Sequence, residues 1–255
     1  MTLPHKHLWA ALATVVLLLA SCTEEECIQP LFPDAPARAV PAVFSVSETR
    51  QVRFSPGNLE YAEGHWRFAP SQSSHFAAFS PTAWDHFGWS TPFTRWGMDT
   101  SMREEDYAGT FVDWGINGEL HVALGSGWRT LTADEWDYLL NRREVNGRRG
   151  AGYAYNAVEI DGQYGLIVYP DNYSLQSDTV GTIPDSCVFL PGAGSRMGSN
   201  LYYQNEKWGF YWTATSMGDG QAQRLFFHES YGRTVLNLVG ITRTAGLSVR
   251  LVRDI

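Results

Sequence analysis

The chain is poor in charge and poorer still in cysteine. Asp, Glu, Lys and Arg make up 18% of its 255 residues, and the balance is acidic, with a formal net charge of −8. A basic nucleic-acid footprint is therefore missing, and DNA or RNA binding is not expected. Three cysteines, Cys22, Cys27 and Cys187, show no disulfide framework. There is no Gly-x-Ser-x-Gly elbow, and none of His65, His75, His86, His121 and His228 sits at a spacing that puts two imidazoles on one metal. No repeat of fixed period is present. The apolar run at 8–20, broken only by Thr14, is too short to span a bilayer as a mature helix. What is abundant is aromatic: 10 Trp, 12 Tyr and 13 Phe in a chain that is 44% hydrophobic. That composition supports a packed core in a loop-rich domain pinned by large rings.

The N-terminus reads as a targeting segment. Lys6 lies between His5 and His7, the apolar run follows, and it ends in Leu19-Ala20-Ser21-Cys22. Small residues before a cysteine resemble the bacterial lipobox, in which cleavage before Cys is followed by acylation of its thiol. Each buried lipid CH₂ contributes roughly 0.8 kcal/mol, so two or three chains hold a soluble domain on a membrane. Residues 1–21 are then a lipoprotein signal peptide and Cys22 the lipidation site. An ordinary signal peptide with an incidental Cys is the plainer alternative. Thr23-Glu24-Glu25-Glu26 resembles the surface-export signal of Bacteroidetes lipoproteins, although a solvated charge run would look the same. The expected location is the outer membrane, lipid-anchored, with the domain exposed at the cell surface.

Residues 22–41, punctuated by Pro30, Pro33, Pro36 and Pro41, read as an acidic, Pro-rich tether. The domain is expected to span 42–255. Alternation predicts strands at 43–47 and 51–55, and hairpins at 59–68 and 157–169, the second turning at Asp161-Gly162. Ser80-Pro81 has the signature of a helix start, so a short helix is expected over 80–87. The stretch 88–118 reads as long loops packed by rings. Thr132-Ala133-Asp134-Glu135 is a capping box ahead of Trp136, Leu139 and Leu140, with Arg142 and Arg143 at the helix end. Later strands are expected at 188–190, 210–214, 223–227, 234–238 and 247–252. The last alternates apolar and polar residues, which predicts one buried face.

Five motifs occur in order: Val52-Arg53-Phe54-Ser55-Pro56-Gly57-Asn58-Leu59, Trp128 to Trp136, Leu190-Pro191-Gly192-Ala193-Gly194, Tyr211-Trp212-Thr213-Ala214-Thr215, and Gly246 to Val252. The order resembles the Fibrobacter succinogenes major paralogous domain and its Bacteroidetes relatives. More distantly it is similar to formylglycine-generating-enzyme-like domains. The resemblance implies an α+β, C-type lectin-like fold with antiparallel sheets, one clear capped helix and long loops. It also implies that the N-terminal strand pairs with the C-terminal one. Formylglycine-generating enzymes use a cysteine pair, and only Cys187 lies in the folded region, so the resemblance does not carry that activity over and no enzyme is expected. The loop Gly192 to Gly198 lacks the Lys-Ser/Thr of a phosphate cradle and reads as a turn. The acidic residues Asp99, Glu104, Glu105 and Asp106 read as a solvated loop. A structural calcium ion is the next reading, and no other cofactor is expected.

The resemblance places ligand contacts in the C-terminal loops: Met217, Asp219, Gln221, Gln223, Arg224, His228, Ser230, Tyr231, Arg233, Asn237 and Arg243, bordered by Trp208 and Trp212. Tyr and Arg are effective contact residues because they desolvate well and keep a hydrogen-bonding tip. The expected function is a surface lipoprotein binding an extracellular protein or glycan. A structural or adhesin subunit of a surface assembly and an extracellular enzyme acting on polysaccharide or protein are the alternatives.

Overall fold

Short-range chemistry sets the first elements. In the computed structural model, which describes residues 38–174, 182–204, 207–218, 220–230 and 233–255, the Thr132 hydroxyl accepts from Glu135 N while Glu135 Oε2 accepts from Thr132 N at 2.8 Å. The reciprocal bonds satisfy two donors that a helix start leaves open. They launch a helix at Ala133–Asp137 that continues as a π-helical turn, Tyr138–Arg142. Asp161 and Gly162 both take positive φ (52° and 77°), the backbone a two-residue hairpin turn needs.

The strands are β1 (Phe44–Ser45), β2 (Gln51–Phe54), β3 (Leu59–Ala62), β4 (His65–Phe68), β5 (Ala83–Trp84), β6 (Trp128–Thr130), β7 (Tyr155–Ile160), β8 (Gln163–Val168), β9 (Val188–Pro191), β10 (Ser195–Met197), β11 (Asn200–Tyr202), β12 (Trp208–Gly218), β13 (Gln221–Ser230), β14 (Arg233–Thr242) and β15 (Leu251–Asp254). They form antiparallel sheets ordered β1-β2-β15-β6, β4-β3-β5, β7-β8-β9, β10-β11 and β12-β13-β14. With two short helices, α1 (Gly118–Leu124) and α2 (Ala133–Asp137), the architecture is α+β and sheet-rich. The C-terminal β15 lies between β2 and β6, with Val252 opposite both Phe54 and Arg129. One core cluster gathers Phe44, Phe54, Trp136, Leu166, Tyr211 and Phe227, and a second gathers Trp66, Trp89, Trp114, Trp128, Phe210 and Trp212. No described helix is long and apolar enough to cross a membrane.

Three expectations are corrected. Residues 80–87 are not helical. Ser80 O accepts from Ala83 N, Trp84 Nε1 donates to Pro81 O, and β5 pairs with β3. Burying Trp84 and Phe87 beside Trp66 wins over the local cap signal. A helix stands instead at 118–124, where Asn117 Oδ1 caps Glu119 N and Leu120 N. The closing segment buries both faces rather than one. Arg250 is 1% exposed and donates to Gln72 Oε1 (2.6 Å) and Asn58 Oδ1 (3.3 Å); burial lowers its pKa to about 10, against the nearby Tyr211. Finally, packing starts upstream of residue 42. Val40 is buried and its N–H donates to Phe54 O, within a compact unit spanning Ala35–Ile255. The signal peptide and Cys22 lie outside the described residues.

Candidate ligand-binding face

The β12-β13-β14 sheet sorts its side chains by period two. Tyr211, Leu225, Phe227, Leu236 and Leu238 turn to the first core cluster. The alternate residues of β12 and β13 make the other face: Trp208 opposite His228, Phe210 opposite Phe226, Trp212 opposite Arg224. Trp212 is buried and donates from Nε1 to Phe87 O at 2.6 Å, so it belongs to the core. Nearer the sheet end Trp208, Phe226 and His228 are only half-buried, while Phe210 is 2% exposed. Trp208 stacks within 4.7 Å of His228, and Phe226 lies 5.1 Å from Phe210 at 11°. Tyr203 covers Trp208 at 4.6 Å and 11° and is 41% exposed; Tyr202 beside it is 44% exposed.

Two features mark this face as more than a packed outer surface. Tyr203 and Lys207 both hold φ of 62°. That is a strained conformation for bulky residues, which persists only where surroundings enforce it. The second feature is Arg224, whose guanidinium carbon lies 4.6 Å from the Phe210 centroid and 5.3 Å from that of Phe226. Its Nε is buried without a hydrogen-bond partner. Burial lowers its pKa to about 10, with Tyr203 acting in the opposite direction. The charge is held by ring quadrupoles rather than by a carboxylate.

The residues expected to bind ligand separate into groups. Arg224 and His228 lie on the aromatic face, and exposed Asn237 opposite Phe226 extends it onto β14. Met217 and Gln221 lie at the β12–β13 tip, with Met217 Sδ against Gly240. Ser230 and Arg233 pair at the β13–β14 tip. The ten residues of β13 rise about 30 Å, so the two tips cannot serve one small ligand. Gln223 faces the opposite side from Arg224, and its carbonyl accepts from Thr213 Oγ1. Asp219 and Tyr231 lie outside the described residues.

Arg243 is a correction, because it is 6% exposed. It donates to Gly109 O, Tyr107 O, Gln221 O and Ser216 Oγ, and its guanidinium carbon lies 4.3 Å from the Trp89 centroid. It ties the long loop to the hairpin and offers no contact to a ligand. Conversely, sequence reasoning left out Tyr202, Tyr203, Phe210 and Phe226. The alternation Trp208-x-Phe210 against Arg224-x-Phe226-x-His228 carried the signal. It becomes legible once the two strands are paired, with Gly218 opposite Gln221.

The other candidate chemistries resolve locally. His86 Nδ1 lies 3.0 Å from Asp85 Oδ1, while His75 contacts Ser73 O and acts on that carboxylate only through its charge. In the acidic loop, Asp106 accepts from Ser101 Oγ, Asp99 from Ser101 N, and Glu105 from Arg103. Among the described residues no three His, Cys, Asp or Glu side chains gather as a metal-binding group. Cys187 is free and buried, and burial pushes its thiol up to about 11. In the glycine-rich loop Gly194 has φ of 74°, and a Cβ there would fall 2.2 Å from Tyr202 O. The glycine thus permits close approach of β11. No family model, curated protein or solved structure matches this chain.

Proposed function

We propose that this chain is exported and lipid-anchored at Cys22 on the outer membrane, and that a C-type lectin-like domain presents the aromatic face to an extracellular protein or glycan. The observation that carries the binding reading is the half-buried pair Trp208 and Phe226, with exposed Tyr203 stacked on Trp208, buried Phe210 behind Phe226, and Arg224 laid across the two phenylalanine rings. Flat rings meet sugar C–H faces or apolar side chains, and a guanidinium adds directional donors to oxygen acceptors. The lectin-like assignment is supported by the β2–β15 pairing and by the capped helix that follows β6. The buried thiol of Cys187, far from thiolate at neutral pH, favours binding over cysteine chemistry.

The test uses the processed chain on arrays of glycans and extracellular proteins. Arg224→Gln and Trp208→Ala should each lose at least about tenfold in affinity. Full affinity in both variants overturns this site. Fatty-acid labelling in the native host should be lost in Cys22→Ser.

A second reading, a structural or adhesin subunit, is favoured by one observation. β14 is an edge of its sheet, ten residues long, with no proline and no charged side chain between Thr234 and Thr242. An open edge of that length is a template for strand addition. Co-assembling proteins captured by the native chain and lost in Val239→Lys would support it.

A further inference from the structure

The sheet that carries the aromatic face has two edges, and the chain closes only one of them. Along β12 the outward backbone groups are taken up: Gly194 N donates to Trp208 O at 2.9 Å, Ser248 N to Phe210 O at 3.1 Å, and Trp212 N to Ser248 O at 3.0 Å. Among the described residues, the only backbone bonds that reach β14 between Arg233 and Ile241 come from β13. The side chains show the same opening. Leu236 and Leu238 pack against the first core cluster yet are only half-buried, and Val239 on the other side of the strand is 38% exposed. Sheet edges that stay unpaired are ordinarily protected by a charge, a proline or a bulge. None of these interrupts Thr234 to Thr242, whose register against β13 is continuous. The residues of this edge also say what covers it. Val235-Leu236-Asn237-Leu238-Val239 reads the same in both directions. Antiparallel pairing runs one strand backwards past the other, so a palindromic strand matches itself.

We propose that β14 pairs antiparallel with β14 of a second copy of this chain, about a twofold axis through Asn237. This self-pairing rests on the open-edge reading above and names the strand that is added. Asn237 then lies opposite its own mate, Leu236 opposite Leu238, and Val235 opposite Val239. Branched chains pack on branched chains, and each Asn amide has its twin as donor and acceptor. Paired side chains must lie on the same side of the sheet, so the axis moves only in whole residues. A shift by one residue either way sets both Asn237 amides against valine and leaves them unmet. Residues 233–241 would exchange about eight to ten main-chain hydrogen bonds, and a stable interface carries roughly ten. The edge is only about 30 Å long and one sheet deep, so the dimer is expected at micromolar rather than nanomolar strength. The axis stands perpendicular to the sheet and leaves both aromatic faces on one side. The strands bearing Arg224 then lie about 14 Å apart, so a ligand with repeated epitopes meets two faces at once.

Analytical ultracentrifugation of the full processed chain over a wide concentration range tests this. A monomer–dimer equilibrium is expected. Val239→Lys should weaken it about tenfold or more, with thermal unfolding as the control for folding. Cysteine variants in a Cys27→Ser background read the register under mild oxidation. Asn237→Cys should cross-link to itself, because directly opposite Cα atoms stand about 4.5–5.5 Å apart, within disulfide reach. Val235→Cys and Val239→Cys lie more than about 13 Å from their own mates, so each should stay uncross-linked alone and cross-link when the two are mixed. A chain that stays monomeric at every concentration, a dimer that Val239→Lys leaves intact, or Asn237→Cys that fails to cross-link overturns the self-pairing. Where the chain is monomeric, a different protein captured by the native chain and lost in Val239→Lys keeps β14 as a strand-adding edge. Capture of no such protein removes that reading as well.

Discussion

The ring of Tyr203 lies 4.6 Å from that of Trp208 and within 11° of parallel. Tyr203 reaches this position from a backbone with φ of 62°, which costs an L-residue roughly 1–2 kcal/mol. An offset aromatic pair returns about 0.5–1.5 kcal/mol. The two magnitudes nearly balance, so the stack does not add net stability. It fixes a ring at the rim of the candidate face, at a location the chain would not choose for stability alone.

Substitution separates the two terms. Tyr203→Ala removes the ring and keeps the strain, whereas Tyr203→Gly removes both. Glycine is therefore expected to be the milder change, by about 1 kcal/mol, although glycine is ordinarily the worse choice elsewhere. Urea unfolding of both variants reads the difference. Alanine as the more stable variant would contradict the positive-φ assignment.

Glu135 does more than close its capping box. It is 2% exposed and accepts Arg129 Nη1 and Nη2 at 2.9 Å each, Arg50 Nη2 at 3.0 Å, and Thr132 N. Thr132→Ala should cost about 1 kcal/mol, an ordinary cap loss. Glu135→Ala strands two guanidinium groups and a backbone donor, and should cost about 3 kcal/mol. That is the low end for a broken buried pair, because both arginines can turn to water. Equal losses in chemical denaturation would show that the arginine contacts contribute nothing beyond the cap.

Local signals were legible where their partners are local. Thr132 meets Glu135 three positions away, and Asp161-Gly162 turns its own hairpin. Ser80-Pro81 failed because the competing interaction was distant: Trp84 pairs with Tyr61 across β5 and β3. Arg243 was read as a ligand contact, and Arg250 as a polar position in a strand with one buried face, for the same reason. Their acceptors include Tyr107 and Asn58, 136 and 192 positions away. The aromatic face was half legible. Arg224, His228 and Trp208 were singled out, but Phe210, Phe226 and Tyr203 join them only through the β12–β13 register and the loop that brings Tyr203 back.

Two buried carboxylates should give opposing pH dependence. For Asp85, burial raises the pKa, but the His86 charge and hydrogen bond, the Phe76 N–H and His75 together lower it below the ordinary value. Its stabilisation is whole above the unfolded pKa, about 4, and is lost as pH falls through the folded one. For Glu60, burial raises the pKa despite the ion pair with Arg67. Its contribution is whole below the unfolded pKa and lost as pH rises through the folded one. In urea midpoints measured from pH 3 to 7, Asp85→Asn should flatten the loss on the acid side. Glu60→Gln should flatten the decline above about pH 4. A parent-like profile in either variant would remove that residue from the account.

Arg224 and Arg243 both lie over aromatic rings, yet the structure gives them different work. Arg243 satisfies three carbonyls and a hydroxyl between loop and hairpin. Each buried acceptor left unmet costs about 1–3 kcal/mol, so Arg243→Gln should lose at least about 3 kcal/mol. Among the described residues Arg224 satisfies no acceptor, and its loss removes chiefly a cation–π contact worth about 1–2 kcal/mol. Relief of its unpartnered Nε works against even that, so Arg224→Gln should change stability by less than about 1 kcal/mol. Thermal unfolding of the pair therefore distinguishes a residue held for the fold from one held for a ligand. A large stability loss in Arg224→Gln would place it with Arg243 and leave the face without its charged member.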